Sequence, residues 1–183
     1  MREEEPVIAD ALHQITLGYS PIEDRMTLRI RTTGGTEFRL GFTRRFVRVL
    51  WGALEKMIHA DPELQRQLEP SARDAVAAFE HQDAVNSSDF SQKHQEDAEN
   101  FPLGEEPILI VGGNCSPSEG GITKLSLKTK DGRQVAFGLN KQLLHALCHL
   151  LITTSAKAGW DLALSVGEGN VVLNTNKEDR VVH

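Results

Sequence analysis

The chain has 183 residues, 39% of them apolar and 25% charged; this is the composition of a globular protein with the volume for a real core. No apolar run approaches the roughly 20 residues that cross a bilayer, and the first six residues, MREEEP, are acidic where a signal peptide is basic and then apolar, so the expectation is a cytoplasmic protein with no membrane partner. Two cysteines, Cys115 and Cys148, without CxxC spacing, exclude a disulfide framework and a zinc ribbon.

In chain order, residues 12–18 alternate imperfectly, as a half-buried strand does, and Tyr19-Ser20-Pro21 ends it. Residues 25–31 alternate cleanly, with Met26, Leu28 and Ile30 on one face and Arg25, Thr27, Arg29 and Arg31 on the other. Thr33-Gly34-Gly35-Thr36 reads as a hairpin turn. The returning strand, 37–42, places Phe38, Leu40 and Phe42 inward and Glu37 and Arg39 outward. Thr43 is a helix N-cap, and Phe46, Val47, Leu50, Trp51 and Leu54 form the apolar stripe of the helix that follows. Asp61-Pro62 starts a short second helix, and Ser71-x-x-Asp74 resembles a capping box before a third over 75–79.

Periodicity then disappears, and residues 83–106, rich in Ser, Asp, Glu, Gln and Asn, read as a mobile acidic linker. Beyond it come a strand over 108–111, a loop GGNCSPSEGG, strands over 122–128 and 134–139 joined by an Asp131-Gly132 turn, and a helix capped by Asn140 with the stripe Leu143, Leu144, Leu147, Cys148 and Leu151. Residues 161–166 and 170–174 read as a C-terminal hairpin around Gly167-Glu168-Gly169.

The stretch 28–54 recurs without a gap as 125–151. Leu28, Thr32, Gly35, Gly41, Leu50 and Leu54 are identical to Leu125, Thr129, Gly132, Gly138, Leu147 and Leu151 at a constant offset of 97. The expected fold is therefore α+β: a tandem duplication of an antiparallel βββα unit, each sheet covered by one helix. The units are residues 1–82, with two extra helices, and 107–183, with the terminal hairpin; the helical and disordered connector ends in the linker 83–106.

Charge is unevenly spread. Lys and Arg set against Asp and Glu give −3 over residues 1–19, +4 over 20–57, −9 over 58–106 and +2 over 107–183, a net of −6. The repeat cores are basic, and the acid sits in the tail and connector. Arg29, Arg31 and Arg39 share the outward sheet face, and Lys128 flanks the matching strand of the second copy. Arg44, Arg45 and Lys141 sit in the first turns of the two helices, where the dipole disfavours cations. These seven residues are the candidate anion site, with solvated strand residues paired to the acidic connector as the plainer reading.

His145 and His149, at i and i+4 beside Cys148, have the spacing for a shared metal. Cys148 aligns with the core residue Trp51, however, and no third local ligand completes the set, so scaffold is the preferred reading and no cofactor is expected. Cys115 lies in a glycine-rich loop that feeds a strand rather than a helix, unlike a phosphate cradle, and no base is nominated for it.

Two tandem units of antiparallel strands followed by a helix are similar in outline to the whirly and Pur-alpha families of single-strand nucleic-acid binders. Those units have four strands before each helix where this chain shows three, and no motif carries their binding residues over. The reading preferred from the sequence is a non-enzymatic protein that docks a protein partner through the basic sheet face or an exposed strand edge, with the acidic linker as modulator. The alternatives are a single-stranded nucleic-acid binder of whirly/Pur-like architecture and, last, a metal- or thiol-dependent enzyme. Exposed edges also allow self-association into a homo-oligomer.

Overall fold

The computed structural model describes residues 7–8 and 11–167. The elements are β1 (Val7–Ile8), β2 (Leu12–Ser20), β3 (Arg25–Thr32), β4 (Glu37–Phe42), α1 (Arg44–His59), α2 (Pro62–Gln65), α3 (Pro70–Asn86), β5 (Ile108–Pro117), β6 (Thr123–Thr129), β7 (Gln134–Leu139) and α4 (Lys141–Lys157). The fold is α+β.

The two copies of the repeat agree in detail. In one hairpin Leu28 faces Leu40 and Ile30 faces Phe38; in the other Leu125 faces Phe137 and Leu127 faces Val135, the same register at the same offset. Thr32 N–H donates to Thr36 O and Thr129 N–H to Arg133 O, both at 2.9 Å. Gly35 and Gly132 supply the positive φ, 76° and 93°, that each turn requires. Thr43 and Asn140 accept from Phe46 N–H and Leu143 N–H, capping α1 and α4.

The expectation of two sheets, each under its own helix, is corrected. All strands belong to one mixed sheet in the order β1-β7-β6-β5-β4-β3-β2: six full strands and the two-residue β1. The halves join where β4 and β5 run parallel at Leu40–Ile108 and Gly41–Leu109, and β1 repeats that parallel pairing on β7.

The sheet is strongly curled. Only residues 9–11 separate β1 at one edge from β2 at the other, a reach of about 14 Å, whereas a flat sheet of this order would hold its edges about 29 Å apart. Phe38 on β4 and Phe137 on β7, three strands away, accordingly meet edge to face at 5.2 Å. The helices cross between halves: α1 packs on β5 and α4 on β2. The stripes Phe46, Val47, Leu50, Trp51, Leu54 of α1 and Leu144, Leu147, Cys148, Leu151 of α4 are buried, together with Met26, Leu28 and Phe42 from the sheet, whereas Leu143, expected in the α4 stripe, is only partly buried at its edge.

Three further expectations change. The GGNCSPSEGG segment is strand as far as Pro117, paired with β6 after a bulge near Gly112. A Cβ at Gly113 would stand 2.7 Å from Ser126 O, so that glycine serves close approach between strands rather than a loop. The third helix starts at Pro70 after Glu69, not at a Ser71 capping box, and continues to Asn86. Residues 161–166 form no strand; the partner expected at 170–174 lies outside the described residues. No described helix is long and apolar enough to cross a membrane.

Candidate functional site: a strapped arginine face and an open strand edge

The register of β3 on β4 sets Arg29 directly opposite Arg39 and Arg31 opposite Glu37, all on the outer face. Two guanidiniums in cross-strand register repel. Glu37 resolves this: its Oε1 accepts from Arg29 Nε at 3.0 Å and Arg39 Nε at 2.6 Å. The carboxylate is fully buried. Burial alone would raise its pKa, but hydrogen bonds from Arg39, His94 and Arg29 outweigh that and bring it down to about 2. The second copy has Ser126, Lys128, Gln134 and Ala136 at the positions of Arg29, Arg31, Glu37 and Arg39, so the cluster belongs to the first copy alone.

The segment read as a mobile linker lies over this face. Residues 93–106, with five acids and one lysine, form an extended strap across the outer side of β2, β3 and β4. Gln14 donates to Lys93 O at 3.0 Å and accepts from Gln95 N–H at 3.1 Å. His94 spans Thr16 Oγ1 at 3.0 Å and Glu37 Oε2 at 2.9 Å; because Glu37 is ionised, Nε2 of His94 is the donor. Glu96 takes both terminal nitrogens of Arg29 at 2.9 Å, a bidentate pairing. Asp97 holds Arg31 at 2.5 Å. Arg39 donates to Glu105 O at 2.8 Å and lies 4.8 Å over the Phe101 ring. Beyond it, Glu37 N–H donates to Asn100 O at 2.9 Å.

The seven candidate anion-binding residues do not converge. Arg29, Arg31 and Arg39 meet under the strap. Arg44 is exposed at the start of α1, where Nη2 reaches Asp161 O at 3.5 Å, and Arg45 beside it is exposed. Lys128 is exposed on β6. Lys141 is held by Glu80 at 2.9 Å and Asp61 at 3.0 Å, so its position in the first turn of α4 is offset by acids of α2 and α3.

The two candidate metal ligands flank His81 of α3, with ring centroids 5.4 Å (His145) and 6.3 Å (His149) from it. His145 is 2% exposed, and its Nδ1 lies 3.2 Å from Nδ1 of His81 on α3. Burial depresses its pKa to about 4, with His81 and Lys141 acting in the same direction. His149 also lies against Phe90, with ring centroids 4.7 Å apart. Among the described residues no three His, Cys, Asp or Glu side chains are placed to hold a metal. Burial pushes the Cys115 thiol up to about 11 and that of Cys148 higher still, away from the thiolate form a nucleophile needs.

The second feature is an edge. Beyond its short pairing with β4, β5 is packed under α1. Its counterpart β2 pairs only with β3 among the described residues, and none of its nine residues is fully buried. Between β2 and α4 runs a groove of about 670 Å³, lined by Leu12, Ile15 and Leu17 of β2, by Leu143, Ala146 and Leu150 of α4, and by polar groups including His13, Gln142, His149, Thr153 and Lys157. Ser88 and Phe90, beyond the end of α3, close one side.

Comparison of the chain with models of protein families, with curated proteins and with solved structures found no match.

Proposed function

We propose that the protein is a non-enzymatic peptide-binding module that takes up an extended segment of a protein partner along the edge of β2, in the groove beneath α4. The observation that carries this reading is the combination of a strand edge without a described partner and a partly apolar groove beside it. A segment laid there extends the sheet. Its backbone satisfies the edge N–H and C=O groups of β2, each bond contributing about 0.5–1.5 kcal/mol net. Alternate side chains point toward Ile15, Leu17, Leu143 and Leu150, which gives selectivity, as in strand addition generally. Nine residues of β2 offer about 30 Å of template, enough for a segment of six to eight residues.

Of the two docking modes expected from the sequence, the strand edge is favoured because the basic face is already covered by the strap. The nucleic-acid reading ranks second for the same reason. Phe38 and Phe42 are buried inside the sheet, and the remaining aromatic on β2, Tyr19, is engaged edge to face with Trp160 at 5.8 Å, so the sheet offers bases little to stack on.

Selection of a phage-displayed peptide library on the purified protein tests the proposal. Enriched peptides should carry alternating apolar residues and should lose binding to Leu150→Arg, which fills the groove from a residue outside the main core. Selected peptides that bind Leu150→Arg as well as the parent protein would remove the groove as the site.

A further inference from the structure

We propose that the arginine face of β3 and β4 is a second docking surface, whose ligand is an acidic, extended polypeptide segment of a partner, and that the strap 93–106 occupies it as an intramolecular stand-in. The proposal concerns the sheet's outer face and is independent of the groove at its edge.

The fold does not require the cluster. The same hairpin in the second copy closes with Ser126, Lys128, Gln134 and Ala136 in place of Arg29, Arg31, Glu37 and Arg39, at the same register. The arginines are thus a feature of surface chemistry, and they come at a cost: three guanidiniums face one carboxylate, Glu37. An uncovered face carries an excess of two positive charges, with Arg29 and Arg39 directly opposed. It calls for an anionic cover.

The strap displays the chemistry that fits. Its contacts with the guanidiniums are of two kinds, carboxylates from Glu96 and Asp97 and main-chain carbonyls from Gln95 and Glu105, with Phe101 under the Arg39 plane. Carbonyls at those spacings come from an extended polypeptide. A nucleic acid supplies phosphates but neither these carbonyls nor, on this face, bases with an aromatic to stack on.

The cover is also built to exchange. The carboxylates of Glu96 and Asp97 are 71% and 78% exposed while the arginines beneath are largely covered, and two ion pairs exposed to that degree together shift a segment's occupancy by about tenfold rather than locking it down. The preceding helix α3 is a loose tether: Ala77 is its one buried residue, and Phe79 is exposed. The strap is pinned outside these ion pairs, by His94 on Thr16 and Glu37 and by Leu103, which is buried in the core and accepts with Pro102 from Arg133; between these pins its tethering holds it over the arginines at an effective concentration of about millimolar. A partner segment with more carboxylates, or one held nearby by other contacts, displaces the stretch between the pins.

The test uses a fluorescein-labelled synthetic peptide of residues 93–106 added in trans, with anisotropy as readout. Glu96→Gln/Asp97→Asn weakens the resident strap and leaves the arginines intact. This variant should bind the peptide about tenfold more tightly than the parent protein, and the affinity should fall as salt rises. Adding Thr36→Cys and Asn100→Cys, at a bridged pair of positions, allows the strap to be locked; oxidation should abolish peptide binding and reduction restore it. The proposal is overturned if Glu96→Gln/Asp97→Asn, folded by circular dichroism, does not bind the peptide, or if the oxidised lock leaves binding unchanged. It is also overturned if an oligothymidylate of equal charge displaces the peptide more effectively than unlabelled peptide does.

Discussion

Nε2 of His94 stands 2.9 Å from Oε2 of Glu37, and through this contact a residue of the acidic connector completes the shell of a carboxylate buried in the sheet 57 positions earlier. Glu37 already accepts from Arg29 and Arg39 on its other oxygen. Removing its charge leaves those guanidiniums opposed and the histidine without its acceptor. Glu37→Gln is therefore expected to destabilise the protein by about 3 kcal/mol, the lower end for breaking a buried ion pair, measured as a fall in the urea midpoint at an unchanged slope. A loss below about 1 kcal/mol would mean that the strap and arginines reorganise without it.

The same carboxyl sets an acid limit. It titrates at about 2 in the folded protein against 4.5 when free, so its stabilisation is complete above pH 4.5 and is lost as pH falls toward 2. Urea midpoints recorded across that interval should decline for the parent protein and decline less for Glu37→Gln.

A second acid response comes from the pair His81 and His145 between α3 and α4. Both are held below the usual histidine value of 6.5, chiefly by burial, and His145 titrates at about 4. A histidine kept neutral in the fold stabilises fully above pH 6.5 and loses that contribution as pH falls toward 4. Lys141 beside His145 adds to the repulsion and Asp61 opposes it. Acidification over this range should detach α3 before the sheet opens, seen as hydrogen exchange rising first in residues 70–86. His145→Leu should flatten the response.

The duplication supplies an internal control. Thr43 and Asn140 cap α1 and α4 through the same contact, so Thr43→Ala and Asn140→Ala should each cost about 1 kcal/mol and add in the double variant, because the two caps share no partner. Thermal denaturation of the two single variants and the double variant checks this.

The local elements were legible because local forces determine them. The alternation of Arg25 to Arg31, the glycine turns, the caps and the stripe from Phe46 to Leu54 all appear as the sequence implies. The strap was not legible: His94 is held by Thr16 and Glu37, Arg31 by Asp97, and such distant pairs leave no periodicity in residues 93–106. The single sheet was hidden for a related reason, since the strands of the two halves join through only four residue pairs, Leu40–Ile108 and Gly41–Leu109 between β4 and β5 and Val7–Val135 and Ile8–Ala136 between β1 and β7. The glycines of β5 imitate a loop because glycine marks both turns and close strand approach. The arginine face itself was readable from spacing, while Glu37 as its buried centre depended on knowing that Arg29 and Arg39 face each other. For the groove the sequence offered only a half-buried strand over residues 12–18.

The central claim, that β2 receives an extended peptide, is tested most directly by hydrogen exchange of the full chain with and without a saturating selected peptide. Strand addition predicts at least tenfold slower exchange at outward-facing amides of residues 12–17, with smaller changes along the α4 face of Leu143, Leu150 and Thr153 and none in β6. A peptide that binds tightly yet leaves the amides of residues 12–17 unprotected would contradict it.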